Sequence, residues 1–244
     1  MQYKTSVIYQ PKGKAGEYSK LAVNLYTGCS HHCVYCYAPS FIRTTVEIFN
    51  QPQPRKDIVL KIYQDARILS REHQTGFILL CFTCDPYQPI DEHYQLSRQA
   101  IQILHACNFN VMILTKGGKR AERDFDLLTG NDRFGVTLTN LDNKLSLHWE
   151  PGAALPDERI NSLLGAHEKG IKTWVSLEPV LYPGVTLEII RQTHGFVDEF
   201  KVGKLNYHPH SQSVDWHKFA INVQQMLTEL KCNYYLKEDL RKWL

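Results

Sequence analysis

Residues 27–40 read TGCSHHCVYCYAPS and hold Cys29, Cys33 and Cys36 at the spacing C-x3-C-x2-C. Three closely spaced thiolates on one loop can hold three corners of a cuboidal iron–sulfur cluster, and the fourth iron then stays open for a ligand from outside the protein. A zinc site that uses one of the two adjacent histidines is an alternative, although such histidines fit a tetrahedral site poorly. Three inert buried thiols are a further alternative. The spacing therefore predicts a catalytic metal centre.

The composition of the chain limits the classes of protein to which it can belong. It has 244 residues, of which 43% are hydrophobic and 22% charged, as in an ordinary globular protein with one large α/β domain or two small ones. The longest fully apolar run, residues 77–82, is too short for a membrane span, and residues 1–20 lack the apolar stretch of a signal peptide. We therefore expect a cytoplasmic protein whose seven cysteines serve metal or redox chemistry.

The charge of the chain says little about its partners. The formal net charge is +3, which is too small to indicate nucleic acid by itself. The most basic stretch, residues 116–123, could meet phosphates, but a solvated loop and helix start is its usual interpretation.

Short β-like runs alternate with amphipathic helical patterns, and several runs are nearly all apolar, as buried parallel strands are. The predicted strands are residues 21–27, 77–83, 110–116, 134–139, 172–178 and 200–205. The predicted helices cover residues 59–69, 96–107, 120–128, 160–169, 186–192 and 216–230, the last with Ser213 as N-cap. Six strand–helix units with right-handed crossovers favour either a doubly wound open sheet or a full or partial β/α barrel.

Polar residues cluster where these strands end. In a β/α barrel the functional site lies at the C-terminal ends of the strands, where side chains from different strands meet. We therefore expect one active site there. The residues concerned are Cys29 after the first strand, Cys84 and Asp85 after the second, Lys116 after the third, Thr137 on the fourth, and Ser176 and Glu178 on the fifth.

The cysteine spacing, with Tyr35 just before the third cysteine, resembles the signature of the radical S-adenosylmethionine superfamily. The resemblance implies that the three cysteines bind a [4Fe–4S] cluster whose fourth iron chelates S-adenosylmethionine. An electron from a donor such as flavodoxin or ferredoxin cleaves the sulfonium, and the resulting 5′-deoxyadenosyl radical abstracts a hydrogen atom from the substrate. It also implies an α/β fold with a partial (β/α)6 TIM-like barrel, which agrees with the six units counted above.

A narrower resemblance extends from residue 24 to about residue 205. It is to the subgroup that contains spore photoproduct lyase, and it implies a single domain over residues 1–244. The core of that domain would be residues 20–210, followed by a C-terminal helix and tail, residues 211–244. From its mixture of basic and aromatic residues, we expect the last segment, residues 232–244, to complete the barrel edge or cover the pocket. The motifs concerned are NLYTGC (24–29), YCYA (35–38), DPYQPI (85–90) with Glu92, Thr115-Lys116, RDFDLL (123–128), Glu150-Pro151 and Arg159.

Membership in this subgroup does not by itself transfer the repair of a DNA lesion. Radical modification of a nucleotide, a peptide or a small metabolite is an alternative. A non-catalytic iron–sulfur or zinc protein is an alternative of a different class.

The resemblance also implies roles for single residues around S-adenosylmethionine. Tyr35 would pack on the adenine, Asp85 would face the amino group, and Lys116 would face the carboxylate. Simpler interpretations are a core aromatic for Tyr35, a turn residue for Asp85 and a solvated side chain for Lys116. The predicted cofactor-binding residues are Tyr35, Asp85, Lys116, Thr137, Ser176 and Glu178.

The predicted catalytic residues are Cys84 and Tyr37. Spore photoproduct lyase uses a cysteine near the end of its second strand as hydrogen-atom donor, with tyrosines near the cluster assisting. With Asp85 as the anchor, Phe82 falls at the donor position, and Cys84, two places on, shares its face of the strand, whereas Cys81 does not. Cys84 could instead be a small apolar residue, or the four cysteines outside the triple could bind an auxiliary cluster.

Overall fold

The computed structural model describes residues 5–244, and most of its strands form one eight-stranded sheet. The strands are β1 (Ile8–Tyr9), β2 (Leu21–Val23), β3 (Tyr26–Thr27), β4 (Gln53–Pro54), β5 (Phe77–Leu80), β6 (Asn110–Thr115), β7 (Arg133–Thr137), β8 (Lys172–Val180), β9 (Glu199–Lys204) and β10 (Tyr234–Leu236). The order in the sheet is β1-β2-β5-β6-β7-β8-β9-β10, and β3 pairs with β4 separately. From β2 to β10 all neighbours in the large sheet are parallel, whereas β1 is antiparallel to β2.

This topology confirms the predicted partial barrel with six parallel strands in chain order, and it adds a seventh, β10. The prediction that the C-terminal tail completes the barrel edge is confirmed by that strand. The predicted first strand was too long, because only residues 21–23 stay in the sheet and residues 26–27 leave it to pair with β4.

Helices connect the strands and cover one face of the sheet. They are α1 (Ala38–Phe41), α2 (Val46–Phe49), α3 (Ile58–Arg71), α4 (Asp91–Tyr94), α5 (Leu96–Ala106), α6 (Asn143–Trp149), α7 (Pro156–Glu168), α8 (Pro183–Thr193), α9 (Trp216–Glu229) and α10 (Glu238–Arg241). The N-cap of α9 is Asp215, which accepts from the amide of Lys218 at 3.0 Å, so the prediction of Ser213 was wrong. The helix predicted over residues 120–128 is a 3-10 segment at Gly118–Asp124. Within residues 5–244, no helix is both long and apolar enough to span a bilayer.

The other face of the sheet carries a smaller apolar cluster. It is formed by Ala22, Leu79, Met112 and Trp174 from four strands, together with Tyr18 from the segment before β2. Gly135 on β7 makes room for the Trp174 indole, because a Cβ there would lie 2.4 Å from it. The interior of the partial barrel is thus filled by aromatic and aliphatic side chains.

Side-chain bonds, rather than strand pairing, span the seam between the two edges of the sheet. Residues 13–18, here called the seam segment, lie against β10 and the helix that follows it. Lys14 pairs with Asp239 at 2.7 Å, and Tyr235 donates to Glu17 at 3.1 Å. The barrel is therefore partial in its backbone and is completed by polar contacts.

Candidate active site

The cysteine loop is held by backbone contacts with segments far away in sequence. Gly28 opens it with φ +86°, and a Cβ there would lie 2.3 Å from the carbonyl oxygen of Phe49, so only glycine fits. The amide of Cys29 donates to that same carbonyl at 2.8 Å. The amide of Val34 donates to the carbonyl of Trp149 at 2.9 Å. Backbone hydrogen bonds therefore fix the loop at Cys29 and at Val34.

The three thiols of the loop are free and half-buried. Burial raises the pKa of each of them, and that of Cys33 reaches about 12, with Lys116 opposing and Glu150 adding to the rise. The thiols are therefore protonated without metal, and metal binding must release protons. No three His, Cys, Asp or Glu side chains in residues 5–244 are arranged to hold a single ion. A cuboidal cluster differs because its thiolates bind different irons.

A buried ion pair lies directly behind the loop. Glu150, at the end of α6, has Oε2 2.6 Å from Nη1 of Arg159 on α7, and each residue is only 1% exposed. The other oxygen of Glu150 accepts from the hydroxyl of Tyr35, which fixes the Tyr35 ring. Arg159 also donates to the carbonyl of Thr137 at 3.0 Å. The pair thus joins the cysteine loop, the end of β7 and helix α7.

Lys116 supplies a positive charge close to the thiols. Its Nζ lies 5.8 Å from the centre of the Tyr35 ring. Burial lowers the pKa of Lys116, but the neighbouring Cys33 and Glu150 outweigh burial and raise the pKa above its ordinary value. A cation kept charged at this position suits the predicted carboxylate contact.

Asp85 connects the ends of two strands to the loop. It accepts from the hydroxyl of Thr115 at 2.6 Å, from the amide of Lys116 at 2.7 Å and from the amide of Tyr87 at 2.8 Å. Nδ1 of His31 lies 3.5 Å from its second oxygen. The expected convergence of strand ends is thus present, and the carboxylate anchors the turn. Its contact with an amino group of the cofactor stays a prediction.

Ser176 and Glu178 point to the same interior space, as expected for alternate residues of β8. The hydroxyl of Tyr18 lies 2.9 Å from Oγ of Ser176 and also donates to Glu178. Nζ of Lys237, a side chain only 1% exposed, lies 2.8 Å from Oε2 of Glu178. Thr137 is buried beside them, in register with Ser176. The contacts of Thr137, Ser176 and Glu178 with the cofactor stay predictions. In this network, protein groups already bind the side chains of Ser176 and Glu178.

The structure overturns the argument that placed Cys84 on the same face as Phe82. Strand β5 ends before Cys81, whose φ of +62° breaks the alternation of side chains. The Phe82 ring lies in the interior, 5.9 Å from Tyr18 and 6.3 Å from Tyr37, whereas Cys84 packs against the core on the helix side. Tyr37 is 46% exposed. The roles of Cys84 and Tyr37 in catalysis remain predictions.

The auxiliary cluster of four cysteines does not fit the structure. Cys107 lies just before β6 and Cys232 just before β10, at the N-terminal ends of strands. Cys81 and Cys84 follow β5, at the opposite end of the sheet. The four thiols therefore cannot meet at one site.

Three buried side-chain nitrogens near the loop have no hydrogen-bond partner within the described part of the chain: His31 Nε2, Arg120 Nη2 and Arg159 Nη2. Burial lowers the pKa of His31 to about 4; Asp85 opposes this fall, and Lys116 and both arginines add to it. His31 is thus neutral, and an excess of positive charge surrounds it. A cluster bound by three thiolates brings negative charge, so the two unpaired guanidinium nitrogens fit it.

Sequence reasoning gave no role to several of these residues. Glu150 and Arg159 were named only as members of a motif. Their opposite charges were the signal that could have indicated an ion pair. Nothing in the sequence indicated that Tyr18 and Lys237 contact Glu178, because these two residues come from opposite ends of the chain.

A family model described as the radical SAM superfamily matches residues 23–197, a span that contains the cysteine loop and strands β5 to β8. The chain belongs to this superfamily, whose enzymes use a [4Fe–4S] cluster and S-adenosylmethionine and need an electron donor.

Similar proteins of known sequence are themselves uncharacterized. One from Methanocaldococcus jannaschii is 27% identical over 191 residues, which cover 77% of this chain and 71% of the relative. One from Mycobacterium tuberculosis is 29% identical over 176 residues, which cover 66% of this chain. The match spans only 50% of that mycobacterial protein.

Solved structures with the same fold include two enzymes bound to different substrates. Spore photoproduct lyase complexed with dinucleoside spore photoproduct matches with a TM-score of 0.71 at 16% identity, over 93% of this chain and 80% of the lyase. SuiB from Streptococcus suis, bound to the precursor peptide SuiA, matches with a TM-score of 0.65 at 15% identity, over 88% of this chain and 48% of SuiB. At these identities the matches establish a shared fold.

Proposed function

We propose that this radical SAM enzyme binds its [4Fe–4S] cluster through Cys29, Cys33 and Cys36 and abstracts a hydrogen atom from its substrate. The observation that carries the proposal is the cysteine loop, with three free thiols and with unpaired buried nitrogens on Arg120 and Arg159 nearby. The bound cluster and S-adenosylmethionine supply the 5′-deoxyadenosyl radical. The protein supplies position and the exclusion of water.

The residues around the loop have distinct parts in this proposal. Lys116 holds the carboxylate of S-adenosylmethionine, which its retained positive charge supports. Tyr35 packs on the adenine, and its bond to Glu150 keeps the ring in a fixed orientation. Asp85 faces the amino group while it fixes the ends of β5 and β6. Thr137, Ser176 and Glu178 contact the cofactor from the neighbouring strands β7 and β8.

The cluster assignment is tested with protein purified and reconstituted without oxygen. The Cys33→Ala variant should lose bound iron and sulfide and release no 5′-deoxyadenosine on reduction. The matched control is Cys107→Ala, whose thiol lies at the other end of the sheet and which should retain both properties. A Cys33→Ala variant that cleaves the cofactor as fast as the wild type would refute the proposal.

For the substrate we propose a lesion in nucleic acid, as in the spore photoproduct lyase complex. The match covers 80% of the lyase but only 48% of SuiB, and this difference supports a lyase-like arrangement. Two arginines of the most basic stretch are engaged internally. Arg120 donates to the carbonyl of Tyr87 at 2.9 Å, and Arg123 pairs with Asp91 at 2.7 Å. Other residues must therefore meet the phosphates.

Gel shifts with lesion-bearing and plain DNA at two salt concentrations test this substrate class. Binding that prefers the lesion and weakens as salt rises would support it, because phosphate contacts release counterions. Absence of binding to either DNA would overturn it and favour a peptide or a small metabolite.

The electron donor in this proposal is a flavodoxin or ferredoxin in the reducing cytoplasm. All seven cysteines are free thiols, which supports a reducing compartment. Reduced flavodoxin should replace a chemical reductant in the release of 5′-deoxyadenosine. If neither carrier supports release while the chemical reductant does, this part of the proposal fails.

A further inference from the structure

The segment that carries α1 and α2 exposes four large apolar side chains. Residues 40–48, here called the α1–α2 surface, include Phe41, Ile42, Val46 and Ile48, which are 71%, 38%, 56% and 65% exposed. These nine residues thus hold four of the sixteen exposed large apolar side chains in residues 5–244. In the described part of the chain, none of the four belongs to an apolar cluster. An exposed apolar patch of this density marks an interaction surface.

The backbone of the α1–α2 surface has a defined shape. Pro39 and Phe49, which flank it in the chain, are buried. The hydroxyl of Thr45 caps α2 by accepting from the amide of Ile48 at 3.3 Å. The amide of Thr44 donates to the carbonyl of Pro39 at 3.0 Å. The exposed apolar side chains therefore lie on a backbone that buried neighbours and hydrogen bonds hold in place.

This surface is joined directly to the cysteine loop. Phe49 follows Ile48 in the chain, and its carbonyl accepts from the amide of Cys29 at 2.8 Å. A protein in contact with Ile48 would thus be separated from Cys29 by one residue of backbone and one hydrogen bond. Because the rate of electron transfer falls steeply with distance, this short route suits the entry of an electron.

The charges around the α1–α2 surface favour an acidic partner. Arg43 is exposed and forms no ion pair with the described residues. The wider segment, residues 38–61, has four cations and two anions and so a net charge of +2, out of +3 for the whole chain. The cations are Arg43, Arg55, Lys56 and Lys61, and the anions are Glu47 and Asp57. Opposite charge on a partner would steer its approach and fix its orientation.

We propose that the α1–α2 surface is the docking site of the electron carrier, a small protein of the flavodoxin type with an acidic surface around its redox group. The choice of partner rests on the proposed function, which makes Cys29 a cluster ligand. Electron-transfer interfaces are small, with an apolar core and a polar rim, and this matches four apolar side chains beside Arg43. A nucleic acid needs a much more positive surface than these nine residues, which hold one cation and one anion.

The step at this surface is the transfer of one electron. The flavin hydroquinone of the carrier loses the electron, which reduces the oxidised [4Fe–4S] cluster, and no proton or other atom crosses the interface. Because a spent carrier must be exchanged for a reduced one after each transfer, a small and weak interface suits this step.

The direct test is isothermal titration calorimetry of the reconstituted holoprotein with oxidised flavodoxin, without S-adenosylmethionine. Phe41→Glu/Ile48→Glu should raise Kd at least about tenfold, because it puts negative charge into the apolar contact with an acidic partner. Arg43→Glu should raise Kd and reduce the loss of affinity with salt. The matched control is Ile221→Glu on α9, where the wild-type side chain is 43% exposed, and it should bind flavodoxin as the wild type does.

Release of 5′-deoxyadenosine separates docking from catalysis. With limiting reduced flavodoxin, Phe41→Glu/Ile48→Glu should release it at least about tenfold more slowly than the wild type. With dithionite as the reductant, the same variant should reach the wild-type rate, which also shows that it is folded and loaded with its cluster. Ile221→Glu should match the wild type with both reductants.

The docking proposal is overturned if the wild type does not bind flavodoxin, if the double variant keeps the wild-type Kd, or if its rate falls equally with both reductants. It is also overturned if the double variant loses binding to DNA instead, or if it converts a dimer into a monomer in size-exclusion chromatography. The surface would then serve a substrate or a second copy of the chain. A wild type that binds flavodoxin but releases no 5′-deoxyadenosine with dithionite refutes the proposed function alone.

Discussion

Glu150→Gln should destabilise the protein far more than an ordinary surface substitution. Glutamine keeps an oxygen that can accept from Tyr35, but it leaves the Arg159 guanidinium, 2.6 Å away and 1% exposed, without a counter-charge. Removing one partner of a buried ion pair costs about 3–5 kcal/mol. For a chain of this length, that loss lowers Tm by about 6–20 °C.

The measurement is urea denaturation of the metal-free protein followed by circular dichroism. The matched control is Glu188→Gln, which breaks an exposed pair with Arg191 at 3.1 Å and should change the free energy of unfolding by about 0.5 kcal/mol or less. In Glu150→Gln/Arg159→Met, the combined loss should be smaller than the sum of the single losses, because neither charge is then left buried alone. A Glu150→Gln loss below about 1 kcal/mol, or strict additivity, would refute this account.

The same pair predicts a pH dependence. Burial raises the pKa of Glu150, but Arg159 and Lys116 outweigh it, so the folded pKa lies below the ordinary value of 4.5. The stabilisation is therefore fully present above about pH 4.5 and is lost as pH falls through the folded pKa. The difference in unfolding free energy between wild type and Glu150→Gln should be constant at neutral pH and should shrink in acid.

Three further substitutions test other parts of the structure. Gly28→Ala should lower bound iron at least about tenfold after reconstitution, because its Cβ would meet backbone; Gly195→Ala, where a Cβ would meet nothing within 4 Å, should bind iron normally. Gly203→Ala puts a Cβ 2.7 Å from Cδ of Glu178 and should cost about 1–3 kcal/mol in urea denaturation; a neutral result would show that the Glu178 side chain moves freely. Asp132→Asn should cost about 1–3 kcal/mol, because a buried carboxylate loses charge-assisted bonds to two amides and a histidine. Equal unfolding free energies at pH 7 would contradict that role.

The strands that could be predicted are those whose burial on both faces makes them continuous apolar runs. Residues 111–114 of β6 are such a case. Strands β1 and β10 have only two and three residues, which is too short for an apolar run that a sequence pattern could show. They form because they pair with the neighbouring edge strand of the sheet. The N-cap of α9 was misplaced because Ser213 and Asp215 are both capping residues, and a 3-10 turn that includes Ser213 decides between them.

The candidate site could be predicted where its chemistry is local in sequence. The three thiols lie on one loop, and Asp85 and Lys116 end neighbouring parallel strands, so their proximity follows from topology. The orientation of Cys84 could not be predicted, because the left-handed residue Cys81 interrupts the strand. The contact between Tyr18 and Glu178 depends on how the seam closes, and no periodicity in the chain encodes it.

The seam segment determines how strongly the two edges of the sheet are joined. In a closed barrel, a continuous ladder of backbone hydrogen bonds would join the first and last strands. Here the two edges are joined by side-chain contacts such as that of Lys14, whose side chain is 41% exposed. Exposed ion pairs contribute about 1 kcal/mol or less, and salt weakens them. The two edges of the sheet are thus joined without any strand pairing, by bonds that include those of the buried side chains of Tyr18 and Lys237.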